Sequence, residues 1–116
     1  MKYMLLIYVD EVKGATYAKE VGVAQMSAPY IAYTEALKQA GVILGGDRLQ
    51  PTSTATTVKV ADGKTQVLNG PYAETREQLG GYYMIDVPDL DAALAWAARC
   101  PGAAHGTIEV RPLWAM

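Results

Sequence analysis

Near the middle of this chain, Ala61-Asp62-Gly63 separates two β-rich runs, Thr54–Val60 and Lys64–Leu68. Asp-Gly between such runs is a strong hairpin signal, because both residues tolerate positive φ. The hairpin splits the remaining sequence into two halves of similar plan, and that plan restricts the fold more than any other feature. On the N-terminal side, residues 2–9 are apolar and rich in Tyr, Ile and Val, as in a buried strand. Residues 10–28 are mixed. Gly14 and Gly22 weaken any continuous helix there, with Thr16–Met26 having room for a few turns. The pattern then predicts a helix over 29–40, with Ser27 as N-cap, Pro29 in the first turn, and Tyr30, Tyr33, Leu37 and Ala40 at helical spacing. Gly41 is its stop. Val42–Leu49 reads as a strand in which Gly45-Gly46 marks a bulge or a close backbone approach. On the C-terminal side, Gly80-Gly81 opens a strand that runs through Tyr82–Val87. Asp89 caps a helix from Leu90 to Arg99, Pro101-Gly102 ends it, and Thr107–Leu113 is the last strand.

The order β-α-β, hairpin, β-α-β predicts an α+β, ferredoxin-like architecture, an antiparallel sheet with its helices on one face. Its crossovers are expected to be right-handed. The other face of such a sheet is bare, and a second copy is the simple means of covering it, so a homodimer is expected. At 116 residues the chain is expected to be one domain, 1–116.

Composition narrows the function classes. With 51% hydrophobic and 19% charged residues this is ordinary globular material. The net charge of −2 and the lack of any Lys/Arg run argue against nucleic acid as a partner. One cysteine, Cys100, excludes an intrachain disulfide. Its place late in an alanine-rich helix fits a small buried hydrophobe better than a reactive thiol. One His and one Cys cannot build an ordinary zinc site, and no motif supports a metal or a cofactor. The apolar start at residues 3–9 is closed by Asp10-Glu11 and reads as a strand rather than a leader. No segment approaches the ~20 apolar residues of a membrane span, so a cytoplasmic location away from membranes is expected.

The stretch Asn69-Gly-Pro-Tyr-Ala-Glu-Thr-Arg-Glu-Gln-Leu-Gly-Gly-Tyr-Tyr-Met84 places two carboxylates and several tyrosines around a loop held by Gly and Pro. Glu74 and Glu77 are three apart and would share a face on a helical turn. They are candidates for acid–base work, with capping or ion pairing to Arg76 or Arg111 as the alternative. Asp47 follows Gly45-Gly46 at a strand end and is the third candidate catalytic group, against a plain exposed charge. Glu109 and Arg111 project to one face of the last strand, either into solvent or into a polar site at the dimer interface. Arg111 would anchor an anionic ligand there. The chain has eight Tyr and no Phe. Most are expected in the core with satisfied hydroxyls; Tyr33, Tyr72 and Tyr82 are the candidate ligand contacts. Tyr82 and Tyr83 point to opposite faces, so one at most belongs to a given pocket. His105 stands alone in a Gly/Ala-rich stretch and reads as a surface residue.

Several segments carry a family resemblance: Met1-Lys-Tyr-Met-Leu-Leu-Ile-Tyr, Tyr33-Thr-Glu-Ala-Leu, Ala40-Gly-Val, Leu49-Gln-Pro with Thr54-Ala-Thr-Thr-Val, the loop 69–83, Pro88–Pro101 and Ile108-Glu-Val-Arg-Pro. On these the chain resembles the YCII-related family, in the branch named for an Asp-Gly-Pro-Phe motif, over nearly its whole length except residues 11–28. The resemblance implies a dimeric α+β barrel. It also implies an association with extracytoplasmic-function sigma factors, for proteins whose activity is mostly unassigned. Relatives in the wider family use a His–Asp pair, but the position where that His would fall reads Ala28-Pro29-Tyr30 here. The signature itself reads Asn69-Gly70-Pro71-Tyr72. Asn keeps the turn-forming side chain and loses the charge, which implies a structural duty.

Two functions follow as expectations. One is a small-molecule-binding or cofactor-free acid–base module acting on a small polar or anionic ligand. The other is a non-catalytic regulatory or interaction protein linked to sigma-factor control. An oxygenase-like role rests on fold analogy alone.

Overall fold

The computed structural model describes residues 1–115. β1 (Lys2–Val9) is followed by two helices, α1 (Glu11–Val21) and α2 (Val23–Gln39), and then by β2 (Ile43–Arg48). A short 3-10 turn, Thr52–Thr54, leads into the hairpin β3 (Thr56–Ala61) and β4 (Lys64–Asn69). β5 (Gln78–Asp86), α3 (Leu90–Arg99), the single turn α4 (Gly102–His105) and β6 (Thr107–Pro112) complete the chain. The main sheet has the order β2-β5-β1-β6, with antiparallel neighbours throughout. This is the ferredoxin-like α+β arrangement expected from the sequence. The hairpin is inserted in the chain between β2 and β5 and forms a separate two-stranded ribbon. Asp62 and Gly63 take φ of 52° and 73°, the paired positive values that a tight hairpin turn requires.

The helical region differs from the sequence expectation in a specific way. Residues 11–21 are a full helix, because Asp10 accepts a hydrogen bond from the Lys13 N–H at 3.0 Å and so caps it. Gly14 lies within it and is tolerated. Gly22, at φ 85°, breaks the chain between the two helices. α2 therefore starts at Val23 rather than at Ser27-Pro29, and Pro29 lies inside it. Proline cannot donate to the Gln25 carbonyl, but Gln25 is exposed, so water can satisfy that oxygen. Pro101-Gly102 does not end the helical path outright either, since Gly102–His105 adds one more turn. His105 is thus on that turn, exposed, with its ring 5.9 Å from that of Tyr17. The expected start of the first hairpin strand at Thr54 falls in the 3-10 turn instead, where Thr54 caps back onto Pro51 at 2.7 Å.

Alternation along β1 divides the sheet into two faces. Tyr3, Leu5 and Ile7 are buried under the helices together with Ile85, Leu37 and Ala93; Leu5, Leu37 and Ile85 are wholly out of reach of solvent. Cys100 is also buried in this core, where burial raises its thiol pKa, the small-hydrophobe role expected for it. Met4, Leu6 and Tyr8 point the other way, onto a face that no element of the described chain covers. No helix among the described residues is long and apolar enough to cross a membrane.

Candidate functional site

The open face is organised in rows by the strand register. Asp47 pairs with Tyr82, Tyr82 with Leu6, and Leu6 with Glu109, so these four lie in one line across β2, β5, β1 and β6. The next row is Gly45, Met84, Met4 and Arg111. The centre of the face is therefore apolar and its two edges carry charge. At the β2 edge, the Tyr82 hydroxyl donates to Asp47 Oδ2 at 3.1 Å. The hydrogen bond to that carboxylate raises the Tyr82 pKa above its ordinary value. The bend that presents Asp47 comes from a register shift between Ile43 and Gly45, as the Gly45-Gly46 pair foretold. A side chain at Gly46 would run into the Tyr82 carbonyl and the Tyr83 ring, so this is also a close backbone approach.

At the β6 edge, the face runs into an open hollow of about 510 Å³ lined by Tyr8, Thr75, Glu77, Thr107, Ile108 and Glu109. Three elements meet there. β1 supplies Tyr8, displaced by a register shift after Ile7; β6 supplies Thr107 and Glu109; the loop before β5 supplies Thr75 and Glu77. The Tyr8 hydroxyl donates to Glu109 Oε1 at 3.3 Å, and the Thr107 hydroxyl donates to Glu77 Oε1 at 2.8 Å. Thr75 donates its hydroxyl to the Glu77 carbonyl, and Gln78 Nε2 donates to the Thr75 carbonyl at 2.7 Å, which fixes the loop against the strand. Arg111 lies along the rim with its Nε 4.0 Å from Glu109 Oε2. Partial burial and the Glu109 carboxylate push the Tyr8 phenol pKa up, while Arg111 pulls it down. The start of α1 is tied to neighbouring segments. Both oxygens of Glu11 accept from Thr52, from its N–H and its hydroxyl, each at 2.9 Å, and the Glu11 N–H donates to Gln78 at 3.3 Å.

The residues singled out in the sequence fall in three places. Asp47, Tyr82 and Arg111 share the open face, while Glu77 lines the hollow at its β6 edge. Asp47 and Glu77 stand at opposite edges, with Asp47 three strand spacings, about 14 Å, from Glu109. Tyr33 is on the far side of the sheet in the core, where its hydroxyl donates to the Trp96 carbonyl at 2.7 Å. Tyr72 and Glu74 are exposed on the loop, Tyr72 at 89%. That loop is not helical, so the shared-face geometry expected for Glu74 and Glu77 does not form, and Glu77 alone turns inward. Arg76 pairs loosely with Asp10, 3.9 Å away. Tyr82 and Tyr83 do point to opposite faces: Tyr83 shares a 2.7 Å hydrogen bond with Thr34 on the helix side. Tyr8, Thr75 and Thr107 were not among the candidates. Strict alternation from the buried Tyr3, Leu5 and Ile7 would have assigned Tyr8 to the open face, but nothing local marked the two threonines.

The model of the YCII-related domain matches residues 1–116. The chain belongs to the YCII-related family. It is also 41% identical over 118 residues to "Uncharacterized protein R00369" of Rhizobium meliloti (strain 1021), a match that covers 97% of this chain and 92% of that protein.

In this YCII-related chain the Asn69-Gly70-Pro71 turn serves the hairpin. Asn69 is the last residue of β4, opposite Thr56. The closing bonds run through the backbone of Gly70 rather than through the Asn69 side chain: its N–H donates to the Ala55 carbonyl at 2.7 Å, and its carbonyl accepts from the Thr57 hydroxyl at 2.7 Å. A second, smaller hollow of about 220 Å³ lies where the YCII-related chain leaves β2, lined by Arg48, Leu49, Gln50 and Pro51. It comes from one continuous segment and gathers no groups from elsewhere, whereas the hollow at Glu77 draws on three.

Proposed function

We propose that this YCII-related chain is a small-molecule-binding module whose site is the hollow at Glu77 and the open face beside it. Cofactor-free acid–base chemistry is the reaction class its side chains suit. The observation that carries this reading is the meeting of two carboxylates, three hydroxyls and a rim guanidinium from three separate elements around one concavity. Its volume is in the range of ordinary ligand pockets. Glu77 and Glu109, each already held by a hydroxyl donor, suit a ligand bearing hydroxyl or amino groups. Arg111 at the rim suits an anionic group at the other end of the same molecule. Asp47 with Tyr82 forms a second polar pair across the apolar centre. Tyr72 and Glu74 enter as rim groups of the exposed loop. The functional unit in this reading is a cytoplasmic homodimer whose copies cover each other's open face, because the apolar centre of that face, Met4, Leu6 and Met84, is otherwise wetted.

The test is a thermal-shift screen of the native protein against small polar metabolites that carry both a carboxylate or phosphate and a hydroxyl or amine. A stabilising compound is expected to lose its effect in Glu77→Gln and Arg111→Ala. A shift of undiminished size in both variants would remove the site from this hollow.

A further inference from the structure

The charges at the hollow are strung along one face of β6. Thr107, Glu109 and Arg111 alternate onto that face. At the Thr107 end stands Glu77, whose Oε1 accepts from the Thr107 hydroxyl at 2.8 Å. No cationic side chain among the described residues lies within 4.0 Å of Glu77. Its neighbour Arg76 turns away, towards Asp10 at 3.9 Å. Glu109, in the middle, is engaged on both sides: Oε1 accepts from Tyr8 and Oε2 faces Arg111. Arg111, at the other end, has only this loose 4.0 Å contact among the described residues. The hollow thus keeps an open negative group at one end and an open positive group at the other.

Strand geometry turns this arrangement into a length. Thr107 and Arg111 are four residues apart, about 13 Å between Cα atoms at roughly 3.3 Å per residue. The Arg111 side chain leans back towards Glu109, which brings the two open groups to about 7–10 Å apart. Glu109 occupies the direct path, so a molecule that meets both groups lies over it rather than between them. An α-amino acid separates its nitrogen from its carboxyl carbon by only about 2.5 Å, two bonds of roughly 1.5 Å, and so meets one group at a time. We infer that the hollow selects extended ω-aminocarboxylates, with the ammonium on Glu77 and the carboxylate on Arg111. About five to seven methylenes separate the two ends, each carbon–carbon bond advancing about 1.25 Å. The methylene chain lies against the Tyr8 ring and Ile108, the apolar part of the lining. Two charge-assisted contacts at a fixed spacing select for length as well as for charge. The inference rests on the preceding reading of the hollow as a ligand site and adds the class of molecule it takes.

Isothermal titration of the native protein with a homologous series, from glycine with one methylene to the ω-aminocarboxylate with seven, tests this. The dissociation constant is expected to fall with chain length and to be at least about tenfold lower at five to seven methylenes than for glycine. A diamine and a dicarboxylate of the same length, each able to satisfy one end alone, are expected to bind at least about tenfold more weakly than the best member of the series. Glu77→Gln and Arg111→Ala are each expected to weaken that best member about tenfold or more and to remove the dependence on length. The length series uses the unaltered chain, so it decides the matter even if a variant folds poorly. Constants indifferent to length, a best ligand of one or two methylenes, or no binding of any member at about 10 mM overturns the inference. If a metabolite outside the series then binds and loses its effect in Glu77→Gln, the hollow stands as a ligand site and only the ligand class fails. A long ω-aminocarboxylate that binds undiminished in both variants removes the hollow as the site along with the inference.

Discussion

Tyrosine does the work in this chain that phenylalanine does elsewhere, and each buried hydroxyl has to be accounted for. Tyr33 packs edge-on against Tyr83, at 5.3 Å, and against Trp96, at 6.2 Å, and sends its hydroxyl to the Trp96 carbonyl. Burial raises the pKa of Tyr33 and takes that of Tyr30 up to about 12 from 10.0. The folded protein thus keeps these protons where an unfolded chain would release them. Stability is complete below pH 10 and falls as the pH rises from there towards 12. Urea melts at rising alkaline pH are expected to show midpoints dropping through this window, and Tyr33→Phe is expected to flatten the drop. The same change should lower stability near neutrality by about 1 kcal/mol, through the hydrogen bond lost to the Trp96 carbonyl. On the open face, Asp47→Asn weakens the hydrogen bond from the Tyr82 hydroxyl and removes the carboxylate charge, which together hold the Tyr82 phenol up. The Tyr82 titration, followed by phenolate absorbance, is expected to move back towards its ordinary value. An unmoved titration would show that the two groups do not touch in solution.

The elements differ in how much they depend on the core. α2 is anchored by Leu37, which is fully buried, and by Tyr33 one turn earlier. Leu37→Ala is expected to cost about 2–5 kcal/mol, read from chemical denaturation. Pro29, inside the same helix on its exposed side, works against it. Pro29→Ala restores a donor to the Gln25 carbonyl and is expected to raise stability by about 1–3 kcal/mol, with a matching rise in melting temperature. No change would mean that the Gln25 carbonyl is already fully satisfied by water. Proline is also why the start of α2 was hard to read in the sequence. Ser27-Pro29 has the chemistry of a helix beginning, but the helix starts at Val23, four residues before Ser27. Asp10 was the missed cap one element earlier. An apolar strand running into Asp10-Glu11 reads as a strand end, and the same aspartate opens the next helix.

As a whole the molecule is a thin slab, 19 Å in its shortest dimension, with a radius of gyration of 16.1 Å. A compact chain of this length would have about 13 Å. The excess reflects one sheet layer and one helix layer, with the ribbon standing off them. That architecture was legible because it depends on local signals: alternating strand residues, the Asp62-Gly63 turn, and the Asp89 cap, which accepts from Ala92 at 2.9 Å. The site was legible only in part. Asp47, Tyr82 and Arg111 were brought to one face by strand parity, which a sequence displays directly. The hollow at Glu77 was not, because it depends on a loop folding back onto β6, a contact between residues 30 apart along the chain. Which side of Tyr33 and Tyr82 meets solvent was likewise a matter of layer order rather than of residue type.

The short bond between Gly70 and the Ala55 carbonyl joins the two ends of the ribbon across its base. Everything distal to that clasp is an appendage, and the sheet, the helices and the hollow stay connected without it. Mutations can therefore accumulate in the ribbon, lengthening it, trimming it or recolouring its surface, without disturbing the pocket. A lineage built on this scaffold is free to change the company a protein keeps while leaving its chemistry untouched.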